Sequence, residues 1–100
     1  MANLKYDPLA KEEIKLAIVY YESCREGLGK AFLSVIESSI QKFLLNPFRY
    51  RKISGRFRRC LVERFPYGII FSVEEDFIFI AAVMHLNREP GYWKERIKAP

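Results

Sequence analysis

Eight consecutive apolar residues, Phe77 to Met84 (FIFIAAVM), constrain this chain more than any other stretch. Side chains alternate between the two faces of a strand. Here both alternating sets are apolar: Phe77, Phe79, Ala81 and Val83 on one, Ile78, Ile80, Ala82 and Met84 on the other. The run therefore predicts a central strand with something covering part of each face. It is far shorter than the ~20 residues a bilayer-spanning helix needs, so no membrane segment is expected. One hundred residues, half of them apolar, suit a single domain able to bury roughly 60–68% of its unfolded surface.

Around that run the apolar period is two. Arg58–Phe65 and Tyr67–Glu74 are further strand candidates rich in Ile, Val, Phe and Tyr. Phe65-Pro66 and the turn Glu74 to Asp76 separate the three, and such short connections make them antiparallel neighbours. Arg56-Phe57 could extend the first strand, or a separate short strand could form at Tyr50–Ile53. Upstream the period changes to that of helices. After a short strand at Asn3–Tyr6, Asp7-Pro8 reads as a helix start. Glu12 and Glu13 are then expected near the positive end of the helix dipole. Ala10, Ile14, Ala17, Tyr21 and Cys24 form one stripe, widened by Ile18, on a helix running to about Glu26. Gly27 and Gly29 should end it and turn the chain. A second helix from about Lys30 carries Phe32, Val35, Ile36, Ile40, Phe43 and Leu44 on one face and stops at Asn46-Pro47. The expected fold is α+β: an N-terminal strand, a two-helix antiparallel hairpin packed on a small antiparallel sheet (β-α-α-β-β-β), and a short C-terminal helical tail.

Charge is placed unevenly. Of the net +5, the segment Asn46 to Arg64 carries seven basic residues and one acid, +6, so the remainder is −1. A concentrated basic patch fits a polyanionic partner, nucleic acid or an acidic protein segment. It also fits a charged strand edge that discourages aggregation. Cys24 and Cys60 suggest neither a metal motif nor a disulfide framework, and free thiols suit a cytoplasmic protein. The N-terminus MANLKYDPLAKEE shows no secretory h-region. No cofactor and no metal are expected.

Several ordered features carry a resemblance: the DPLAKEEIKLAIVYYE helix, the glycine-linked FLSVIESSIQKFLLNP helix, the strands RRCLVERFPYGIIFSVEEDFIFIAAVMH, and the tail His85, Arg88, Pro90, Trp93. In this order they resemble the RelE/ParE family of toxins from type II toxin–antitoxin pairs, over nearly the whole chain. The resemblance implies a small toxin neutralised by a cognate antitoxin, in an oligomer with it. It implies antitoxin contacts at Tyr20, Tyr21, Arg49 and Arg51. RelE-like members cut mRNA on the ribosome, whereas ParE-like members poison DNA gyrase. Most of the cationic set of the ribonucleases is absent at its expected places: Gly68 stands at one, Leu61 at another, and Asn87, beside Arg88, at a third, while Arg59 keeps one. The ParE-like branch is therefore favoured, and a toxin relic that only binds its antitoxin is a further reading.

A ribonuclease would need a base, an acid and cationic support at the scissile phosphate. The candidate catalytic set is His85 and Glu63, with Arg64 and Arg88 holding phosphate. Against it, His85 can simply be a strand-end histidine bonding the tail backbone, and Arg88 can pair with Glu63 or Glu89. Trp93 reads as a hydrophobic plug against the sheet, with base stacking as the alternative. Of the adjacent Tyr20 and Tyr21, at most one faces the core. Arg56, Arg58, Arg59 and Arg64 are the candidate target or nucleic-acid residues. Strand parity puts Arg56, Arg58 and Arg64 on one stripe and Arg59 on the other face.

Overall fold

The computed structural model describes residues 3–96. Strand β1 (Asn3–Tyr6) leads into α1 (Pro8–Cys24) and α2 (Leu28–Leu45). A 3-10 turn (Pro47–Arg49) follows, then β2 (Lys52–Ser54), β3 (Phe57–Leu61), β4 (Tyr67–Val73), β5 (Phe77–His85), and a closing 3-10 turn at Lys94–Arg96. The α+β order is the expected one, and before β3 each alternative is met in part: Phe57 but not Arg56 opens β3, and a separate β2 forms at Lys52–Ser54, overlapping Tyr50–Ile53 only at Lys52 and Ile53.

Asp7 caps α1, accepting the Leu9 N–H at 2.9 Å. The helices turn about Gly27, whose φ of 87° is left-handed and suits glycine. Glu22 then accepts the N–H groups of Gly27 and Gly29, both at 2.9 Å. Those two donors hold its carboxyl below the ordinary range. Gly29 lies inside α2 rather than in the linker. A Cβ there would come within 2.6 Å of the Ile18 carbonyl, so the residue is small because the helices touch.

The sheet order is β1-β5-β4-β3-β2. β3, β4 and β5 are antiparallel neighbours. The middle strand is β4, whereas β5, expected to be central, is covered on both faces but flanked on both sides only over Phe77–Ile80, where β1 pairs with it. β1, however, joins β5 in parallel, Asn3 opposite Phe77 to Tyr6 opposite Ile80, so the sheet is mixed rather than purely antiparallel. The reason is topological: α1 and α2 carry the chain away from β1, and a long connection can return a strand in parallel. On one face Phe32, Ile36, Ile40 and Phe43 of α2 and Ala10 and Ala17 of α1 pack on Cys60, Ile69, Phe71, Ile78, Ile80 and Val83. On the other, Phe57, Ile70, Ala81, Ala82 and Met84 are covered by Trp93, which is only 2% exposed. The pairing skips Ala81, opposite the step from Ile70 to Phe71; this bulge turns both Ala81 and Ala82 to the Trp93 side.

Candidate functional site

Asp7 ends the pairing of β1 with β5 by donating its N–H to the Ile80 carbonyl at 2.9 Å. Beyond that point no strand covers the β5 edge that faces α1. Glu13 takes over. Its Oε1 accepts the Val83 N–H at 2.9 Å and Arg96 Nη1 at 3.1 Å; its Oε2 accepts the Tyr92 hydroxyl at 2.7 Å and Arg96 Nη2 at 2.8 Å. Arg96 Nη1 also donates to the Ala81 carbonyl at 3.2 Å. One carboxylate and one guanidinium thus satisfy the edge that β1 leaves open and tie the tail to α1. Burial, then the bonded Glu13 carboxylate, push the Tyr92 hydroxyl pKa well above its ordinary value. Burial works most strongly against the charge on Arg96, but the hydrogen bonds to Glu13 together with the charges of Glu13, Tyr92 and Asp7 outweigh it and raise that pKa too.

Beside this clasp lies a depression of about 230 Å³, lined by Glu13, Leu16, Ala17, Tyr20, Tyr67, Val83, His85 and Arg88. His85 Nδ1 accepts the Asn87 N–H at 3.0 Å, which puts the neutral ring's proton on Nε2. The ring stands edge-on to Tyr67, centroids 5.2 Å apart. The strand-end histidine bonded to the tail backbone is thus what the structure contains. Arg88 pairs with neither Glu63 nor Glu89; its guanidinium lies 3.8 Å from the centroid of the Tyr92 ring. The ring attracts it because cations favour aromatic faces.

The remaining candidates are scattered. Glu63 is exposed and bonded to Lys42 of α2 at 3.4 Å. It follows β3, two strands from His85 and so about 10 Å away in backbone terms; the structure does not bring the two together. The single stripe of Arg56, Arg58 and Arg64 does not form either. β3 ends at Leu61, and Arg64 has a left-handed φ of 72°, which breaks the strand parity; its guanidinium lies over Phe65. Arg56 pairs with Glu74 at 2.8 Å. Arg58 turns to the helix side and donates to the Phe48 and Tyr50 carbonyls at 3.3 and 2.8 Å. Arg59 is on the opposite face, where its aliphatic stem lies 3.2 Å from where a Gly68 Cβ would be. Tyr21 packs among Phe32, Phe65 and Tyr67, while Tyr20 is 59% exposed at the depression. Arg49 and Arg51 are exposed at the far sheet edge, beside β2.

Sequence reading missed Glu13, Tyr92 and Arg96. Glu13 lies beyond the first turn of α1, where the dipole effect has faded, and its carboxylate serves the β5 edge instead. The available signal was its position beside the buried stripe of α1, on the same flank as Leu16.

Among the described residues no group of three or more His, Cys, Asp or Glu could hold a metal ion, and no helix is long and apolar enough to cross a membrane. No family model matches the sequence, and no curated protein matches it. By fold, the chain is similar to a chain of the chromosomal ParDE TA system from P. aeruginosa. The TM-score is 0.72 at 16% identity, over 87% of this chain and 98% of that one. At that identity the likeness establishes a shared fold, the one expected from the RelE/ParE resemblance.

Proposed function

We propose that this chain is the toxin of a type II toxin–antitoxin pair, neutralised by a cognate antitoxin, and that it binds and poisons an essential target such as DNA gyrase. The fold shared with a ParDE TA system chain supports the toxin–antitoxin part. The observation that carries the choice of mechanism is the separation of the acid–base candidates. His85 is bonded into the tail at Asn87, and Glu63 is paired with Lys42 two strands away. In-line attack by a 2′-hydroxyl needs such groups converging on one phosphate. Arg59 lying across Gly68 adds to this, since it fills the place of a second sheet cation.

The antitoxin's share of the surface is the outer flank of α1. Leu9, Leu16, Val19 and Tyr20 are exposed there, and Leu16 and Tyr20 border the depression along the β5 edge. An amphipathic segment would bury that flank. Arg49 and Arg51, at the opposite edge of the sheet, lie outside this surface.

Two assays test the reading: DNA supercoiling by gyrase, and mapping of mRNA ends in a translation reaction, each with the purified chain. Inhibited supercoiling with intact mRNA is expected. Codon-phased cuts with normal supercoiling would instead establish the ribosome-dependent endoribonuclease. Unimpaired growth on expression without antitoxin would leave a relic that binds antitoxin alone. His85→Gln is expected to keep toxicity, and its loss in a folded variant would restore His85 as catalytic.

A further inference from the structure

The turn that joins α2 to β2 makes a second surface, which the toxin reading does not use. From residue 38 to residue 62 the chain has no acid and seven cations: Lys42, Arg49, Arg51, Lys52, Arg56, Arg58 and Arg59. The structure separates the committed ones from the rest. Lys42 and Arg56 are in ion pairs, Arg58 is bonded to two carbonyls, and Arg59 lies on the far sheet face against Gly68. Arg49, Arg51 and Lys52 are exposed, and among the described residues none of them has a carboxylate within ion-pair distance.

Two large apolar side chains adjoin these three cations along the chain: Leu45, 87% exposed, and Phe48, 66% exposed. Phe48 has a cation beside it. It sits in the 3-10 turn Pro47–Arg49, the Arg58 guanidinium lies 5.1 Å from its ring centroid, and the same guanidinium bonds the Phe48 carbonyl. Arg58 thereby lies against one side of an aromatic ring that is otherwise turned to solvent.

We propose that this corner binds single-stranded nucleic acid, with a base stacked on Phe48 and the neighbouring phosphates held by Arg49, Arg51 and Lys52. Sequence-tolerant recognition of single strands combines these two elements, an aromatic platform and a cationic track. A duplex hides its base faces in the stack and would leave Phe48 unused. An acidic peptide would satisfy the cations. Strand addition on β2 would give it little, because β2 has three residues and an irregular register with β3. A flat ring with a cation on one side favours a base over a peptide side chain. The inference is independent of the toxin reading, because binding here and inhibition of gyrase are read in separate assays.

The test is fluorescence anisotropy of a labelled oligothymidylate of about 12 nucleotides with the full chain. A duplex and an oligoglutamate of the same length serve as competitors. Three phosphate contacts predict a slope of about −2 for log affinity against log salt between about 50 and 200 mM. Phe48→Ala should weaken binding roughly 5- to 150-fold, Phe48→Trp should retain it, and Arg51→Glu should weaken it and flatten the slope. Both positions are exposed, so melting curves should match the parent. Absence of binding at the lower salt overturns the proposal. So does Phe48→Ala binding like the parent, which would mean attraction of any polyanion. Oligoglutamate competing as well as the oligonucleotide would assign the corner to a protein partner and equally overturn it.

Discussion

The two faces of the sheet are covered in physically different ways. On the helix side the packing is mainly apolar, with the Glu13 bond to the Val83 N–H as a polar exception. Phe43 stacks on Phe71 with centroids 4.1 Å apart and planes within 4°, and Phe32 meets Phe65 and Tyr67 edge-on at 5.1 and 4.9 Å. On the other side, Trp93 packs against Phe57 at 5.3 Å, and the tail is then pinned by the Glu13–Tyr92–Arg96 bonds. The hairpin satisfies its own backbone within two helices. The tail has only a single turn at Lys94–Arg96 and depends on side chains for its anchorage. The helix layer is therefore weakened chiefly by removing bulk, whereas the tail layer depends on its charged contacts as well.

The largest expected effect is on the helix side. Phe43→Ala empties a site closed by α2 and the sheet, and should cost about 4–5 kcal/mol in urea unfolding. Trp93→Ala should cost somewhat less, about 3 kcal/mol, because the tail can settle into the space. Far-UV dichroism should follow the first loss closely, and the second should leave the helical signal intact at low urea. Equal costs with identical unfolding curves would show that the tail is no separate layer.

Glu13→Ala comes next. It strands Arg96 and the Val83 N–H in a largely buried place, and removing one partner of such a pair costs about 3 kcal/mol. Arg96→Ala should cost comparably, and the double variant should show a coupling of about 1–3 kcal/mol. Additive losses would mean that the clasp is incidental to the tail's hold. At the weak end, Arg56→Ala removes a partly exposed pair with Glu74 and should change stability by about 0–1 kcal/mol at neutral pH.

These contrasts track what could be read from the chain. The helix layer was legible because its information is local: Phe32, Ile36, Ile40 and Phe43 repeat at helical spacing within a single element. The covering of β5 on both faces was legible from its two apolar sets, though not that β4 is the middle strand, and Trp93 as a plug was legible from its place after a sheet-closing turn. The clasp was not, because Glu13 and Arg96 are 83 residues apart and neither forms part of any spacing. The parallel docking of β1 was hidden for the same reason. His85 bonding Asn87 was within reach, being two residues away. The basic surplus was plain as a sum, yet which cations are committed depends on tertiary partners such as the Phe48 and Tyr50 carbonyls for Arg58.

The last contrast is a pH dependence to which the tail layer contributes through Tyr92. Tyr92 has its pKa raised above 10.0 by burial, then by its bond to the Glu13 carboxylate and that carboxylate's charge, with Arg96 and Arg88 opposing. Above pH 10 an unfolded tyrosine loses its proton while folded Tyr92 keeps it. Its contribution is therefore complete below pH 10 and is lost as pH rises towards the folded value, at no more than about 1.4 kcal/mol per pH unit. Tyr6, Tyr50 and Tyr67 are also raised, chiefly by burial, so they add to the same slope in the parent. The difference between the parent and Tyr92→Phe isolates the clasp. Tyr92→Phe should lower stability by about 1–2 kcal/mol at neutral pH, as loss of a hydrogen bond to a charged acceptor does. Between about pH 8 and pH 10.5 it should then lose less stability than the parent. In the parent, Trp93 emission should shift to the red before far-UV dichroism changes, since the tail lifts while the helix layer holds. Parallel pH profiles for the two chains would remove Tyr92 from the clasp and leave the Glu13–Arg96 pair to hold the tail alone.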